Sequence, residues 1–132
     1  MAEERVVDVD LRWGDSDAFA HVNNVVFFRL LEEARARVIP TEGPGSTILS
    51  AGLVVAEQQL KYTAPLHYRP EPIQVGMRVD HIGGSSFRLA CRVFDSTSGD
   101  VFAEGFVSLV AYDFGLGSPR KLSDDERSWL TA

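Results

Sequence analysis

The segment from Val25 to Val38 places the tightest limit on what this 132-residue chain can become. It contains no glycine or proline, and Val25, Val26, Phe27, Phe28, Leu30, Leu31, Ala34 and Val38 cover far more than a third of a helical circumference. A helix that is apolar over so much of its surface has to be enclosed by other elements. Arg29 and Glu33, and Glu33 and Arg37, fall four residues apart, so opposite charges can line the strip left in water. Asn23 fits the N-cap position, which predicts free amides at Asn24, Val25 and Val26 at the positive end of the helix. Such a terminus suits an anion or a developing oxyanion.

The helix is fed by Arg12-Trp13-Gly14-Asp15-Ser16-Asp17-Ala18-Phe19-Ala20-His21-Val22-Asn23-Asn24, a stretch dense in turn formers and ionisable groups. From spacing alone, Asp17 is either a loop carboxylate that favours the helix dipole or a reacting group. His21, four residues on, can orient water, accept a proton or bond the carboxylate, or be satisfied by nearby backbone. Asn23 and Asn24 serve as cap and turn, and any role for Asn24 in chemistry needs only its backbone N–H. Asp15 is better suited to shaping the loop, and two acids with one histidine do not make a metal set.

The run Asp15-x-Asp17-x-x-x-His21-Val22-Asn23-Asn24, followed by an aromatic and by Glu32-Glu33-Ala34-Arg35, resembles the hotdog-fold acyl-CoA thioesterases of the 4-hydroxybenzoyl-CoA thioesterase type. The likeness continues through Tyr62-Thr63-Ala64-Pro65-Leu66 and Gly84-Ser85-Ser86-Phe87. It implies a curved antiparallel sheet wrapped around a long helix, and hydrolysis of an acyl-CoA to free acid and CoA. By the same resemblance Asp17 acts on the thioester as nucleophile or general base, with His21 beside it and the amides near Asn24 as the oxyanion site. Asn23, Phe27, Tyr62 and Thr63 would lie against the substrate, and Ser85, Ser86 and Arg88 at the Gly83-Gly84 turn would either meet a pantetheine or phosphate group or form an exposed polar hairpin. Related sequences usually have Gly at Ala20 and Tyr at Phe27. Plant acyl-carrier-protein thioesterases, whose motif is also similar, have Asn at Phe19. The missing hydroxyl at Phe27 implies a drier pocket.

A net charge of -6 argues against a nucleic-acid surface and gives no general attraction for anionic coenzyme A, so phosphate recognition would fall to local cations such as Arg88. The single cysteine, Cys91, cannot form an internal disulfide and sits in an apolar strand pattern, as expected of an inert core thiol in a reducing compartment. The N-terminus lacks a signal-peptide core and no run is long enough to span a membrane, so a cytoplasmic location with no membrane partner is expected. No metal or other cofactor is expected.

Alternation marks a strand from Val7 to Trp13. The Pro40–Gly45 stretch is a loop. Leu53 to Thr63 reads as a strand with Val54, Ala56, Leu60 and Tyr62 on one face. Two hairpins then join strands starting near Ile73, Phe87 and Val101 into an antiparallel meander. Ser123-Asp124-Asp125-Glu126 has capping-box spacing and opens a short helix ending near Leu130. One α+β domain over residues 1–132 is expected, small enough to need a homodimer or homotetramer to complete its acyl pocket. A non-catalytic module that binds acyl-thioesters, and an acyl-carrier-protein thioesterase, are the competing readings.

Overall fold

The computed structural model describes residues 1–132. In chain order it has β1 (Arg5–Val9), a 3-10 turn (Trp13–Asp15), α1 (Asn24–Val38), α2 (Thr47–Ser50), β2 (Leu53–Tyr62), β3 (Ile73–Ile82), β4 (Ser86–Phe94), β5 (Val101–Asp113), β6 (Ser118–Pro119) and α3 (Asp124–Thr131). The sheet runs β1-β3-β4-β5-β2 with every pairing antiparallel, and β6 pairs with β5. The expected meander is therefore β3-β4-β5, and β2 adds to its far edge.

Strand alternation places Ile73, Val75, Met77 and Val79 of β3 on the same buried face as Phe87, Leu89, Cys91 and Val93 of β4. Phe27, Leu30, Leu31 and Ala34 of α1 pack onto that face, chiefly over β1 and β3. Arg29 pairs with Glu33 and Glu33 with Arg37, as the four-residue spacing implied. The Ser123 hydroxyl accepts the Glu126 amide, the Glu126 carboxylate accepts the Ser123 amide, and α3 begins there as expected.

Two expectations need correcting. The first strand stops at Val9, and Trp13 is 83% exposed on the 3-10 turn, because Asp15 takes the Arg12 amide and bends the chain out of the sheet. In β2 a bulge at Ala56 breaks the alternation: Val54 pairs with Val110 while Leu60 pairs with Gly105, so the two face opposite sides. Enclosure of α1 within one chain is incomplete, since Val25 is 68% exposed and the inner-facing Val55 and Tyr62 of β2 are each 43% exposed. The short elements α2 and β6 had no periodic signal long enough to announce them.

Candidate active site

The loop before α1 folds into a tight hairpin. Ser16 bridges Val22, the Asp17 amide donates to the His21 carbonyl at 2.8 Å, and the Ala20 amide donates back to the Asp17 carbonyl at 3.1 Å. Ala20 turns the chain with φ of +62°, the only non-glycine residue in the left-handed region, at a cost of about 1 kcal/mol for an L side chain. Beneath the hairpin, Asp15 is buried and accepts from Arg29 Nη2 at 2.6 Å and from the Arg12 amide at 2.7 Å. Its carbonyl also takes the Asn23 amide at 2.9 Å. Asp15 is thus committed to structure, which leaves Asp17 as the carboxylate at the surface of the loop.

Asp17 Oδ1 accepts the Phe19 amide at 2.9 Å, an Asx turn, and Oδ2 has no partner in the chain. Asp17 and His21 open onto a cleft of about 400 Å³ at the start of α1. Asn24, Phe27, Tyr62 and Thr63 line it as well, and Val22 and Leu66 are among its apolar residues. The Leu66 carbonyl takes the Val22 amide at 2.7 Å, which ties the segment after β2 to the hairpin. Tyr62 donates from its hydroxyl to the Asn24 carbonyl at 2.8 Å and stacks edge-on against Phe27 with ring centres 5.1 Å apart. Burial pushes the Tyr62 phenol above its ordinary range and so keeps it a donor. The Thr63 hydroxyl is held by the Val101 carbonyl at 2.7 Å.

Asn23 caps α1 as expected, its Oδ1 accepting the Val25 amide at 2.9 Å, and its carbonyl takes the Val26 amide at 2.9 Å. Two of the three amides expected to be free are therefore engaged, and Asn24 keeps the one N–H without an acceptor in the chain. Asn23 itself does not line the cleft.

Ser85, Ser86 and Arg88 are not brought to this cleft. Ser86 pairs with Val110, whereas Thr63 and the cleft adjoin the Val101 end of β5, roughly 30 Å along the strand at about 3.3 Å per residue. Arg88 holds Asp80 through Nε at 2.9 Å and lies over the Phe106 ring, so its charge is already paired. The Gly83-Gly84 turn is strapped down by Arg127, which donates to both glycine carbonyls. No group of three or more His, Cys, Asp or Glu side chains is placed to hold a metal ion.

His67 is the neighbour that sequence inspection passed over. Its Nδ1 lies 3.2 Å from the Ala20 carbonyl, and its ring meets that of His21 edge-on at 4.9 Å. It follows the Tyr62–Leu66 motif without any spacing that relates it to His21, and tertiary contacts, the Leu66–Val22 backbone bond and its own contact to Ala20, bring the two together.

Residues 11–130 match the family model described as the thioesterase-like superfamily. A thioesterase from Thermus thermophilus, solved with coenzyme A and Zn, is 31% identical with a TM-score of 0.80, over 95% of this chain and 90% of that one. An acyl-CoA thioesterase candidate from Xanthomonas campestris is 32% identical at a TM-score of 0.75, over 89% and 98% of the two chains. A predicted thioesterase from Bacillus stearothermophilus superimposes with a TM-score of 0.85 at 21% identity, over 97% and 94%, which fixes the hotdog fold. Comparison with curated proteins gives no match.

Proposed function

Because this chain belongs to the thioesterase-like superfamily, we propose that it hydrolyses an acyl-CoA thioester to a carboxylic acid and free CoA. The observation that carries this reading is a carboxylate with one unpartnered oxygen, that of Asp17, on a residue that lines the same cleft as Asn24, whose amide has no acceptor. A thioester carbonyl pointed at that amide gains a hydrogen bond and the helix dipole as charge develops on oxygen. Asp17 then acts in one of two ways. It attacks the carbonyl carbon, the C–S bond breaks, the CoA thiolate leaves to take a proton from solvent, and water cleaves the mixed anhydride. In the other route it takes a proton from a water that attacks directly. A single turnover with a labelled acyl group separates the routes, since only the first leaves label on the protein. His21 orients the water or the carboxylate. The apolar wall of Val22, Phe27 and Leu66 takes the first atoms of the acyl group.

Asp17→Asn is expected to lower turnover at least about a hundredfold; a folded variant with near-normal rates would remove Asp17 from the reaction. Thiol release across short, long and aromatic acyl-CoAs tests the activity itself. Binding without release would favour a non-catalytic module, and release from acyl-carrier protein alone would change the substrate class.

The acting unit in this reading is a homodimer or a pair of dimers, because the uncovered inner face of β2 and the exposed Val25 leave one side of the acyl path open in a single chain. Light scattering at assay concentration tests this, and a fully active monomer would refute it. Ser85, Ser86 and Arg88 enter only if a second protomer carries them to the cleft mouth. In that case Arg88→Ala raises KM for acyl-CoA while leaving kcat within about twofold.

A further inference from the structure

We propose that His67 is a positioning residue for this reaction, clamping the left-handed Ala20 and through it the Asp17 carboxylate. The inference rests on the reading of Asp17 as the reacting group. Within residues 17–21 every other hydrogen bond is internal: Asp17 amide to His21 carbonyl, Ala20 amide to Asp17 carbonyl, Phe19 amide to Asp17 Oδ1. The one group from outside that hydrogen-bonds this tip is His67, at the Ala20 carbonyl. A carbonyl only accepts, so His67 carries a proton on Nδ1. Its ring also abuts His21, so it steadies both residues whose backbones hold Asp17.

The clamp acts where it is most needed. Ala20 has φ of +62°, and an alanine there relaxes toward ordinary backbone angles unless its neighbours hold it. Relaxation would rotate the Ala20 amide away from the Asp17 carbonyl and loosen the turn that holds Asp17 at the cleft. His67 is itself anchored by the preceding residue, since Leu66 is buried and bonds Val22. It therefore arrives on the same tie that joins the two walls of the site.

The test is a double-mutant cycle between positions 67 and 20 with two readouts, steady-state kinetics and amide hydrogen exchange at Asp17 and Ala20. His67→Ala should lower kcat about tenfold with KM within about twofold, and speed exchange at both amides. His67→Asn, whose side-chain N–H can stand in for Nδ1–H, should recover most of both. With Ala20→Gly, which needs no clamp to stay left-handed, removing His67 should cost less than about threefold in kcat. Unchanged exchange in His67→Ala, unchanged kcat, or an equal loss in both backgrounds would overturn the proposal. An Asp17→Asn variant that keeps turning over would instead sink the underlying reading while the exchange data still report on the clamp.

Discussion

Ala20 shows how one side chain sets a local cost. Its φ of +62° suits glycine, so Ala20→Gly is expected to raise unfolding free energy by about 1 kcal/mol, measured by denaturant titration with an unchanged m value. Glu126 carries the opposite lesson. Its carboxylate is wholly buried yet bonded to Arg120 at 2.9 and 3.1 Å and to the Ser123 amide at 2.8 Å. Arg120 in turn reaches the carbonyls of Thr47 and Gly52, so one ion pair joins α3, α2 and the start of β2. Glu126→Ala leaves that guanidinium without its anion and should cost about 3 kcal/mol, read as a lower midpoint in the same titration. Cys91 is quiet by comparison: burial pushes its thiol up to about 12, despite Arg35 nearby pulling it down, which suits the inert core role its strand pattern implied.

Among the elements, β2 is the most exposed of the long strands, and its seam with β5 depends on Gly105. A Cβ there would stand 1.9 Å from the Gln59 carbonyl oxygen, a backbone atom with little room to move. Gly105→Ala should therefore destabilise by about 2 kcal/mol and speed amide exchange in β2 before β3 or β4. An unchanged exchange pattern would show that the strands separate without strain. The same seam shows what could be read from residues alone. Helix α1, its Asn23 cap and the capping box of α3 were legible because each depends on residues within a turn or two of one another. The β2 face was not, because the bulge at Ala56 is set by pairing with β5, far along the chain. In the site, the Asp17-to-Asn24 motif is contiguous and its cleft could be anticipated. His67 and the remote placement of Ser85, Ser86 and Arg88 arise from tertiary contacts that no local spacing encodes.

Across the whole molecule, acid should unfold the protein through carboxylates paired to arginines. Arg92 holds Glu4 below its ordinary range through a hydrogen bond, with burial opposing. Arg69 does the same for Asp95, with the Thr97 amide adding to it. For Glu126 burial is the largest influence and pushes the carboxyl up, but Arg120 and the Ser123 contacts together outweigh it and the net shift is down. In each case the folded group holds its proton less tightly than the unfolded one, so the unfolded chain binds more protons in acid. The stability these pairs supply is complete above the ordinary carboxylate range near pH 4 and is lost as pH falls through the lowered folded values. Melting temperature should therefore stay nearly level from pH 7 to about 5 and fall steeply below about 4, and a level or rising curve there would refute the assignment. Salt separates the contributions. The Glu4–Arg92 pair is partly in water and is screened at about 1 M salt, whereas Glu126 is enclosed and is not. Part of the acid transition should thus persist in high salt, and that residue of pH dependence should shrink in Glu126→Gln, with the Arg120 charge then unpaired at every pH.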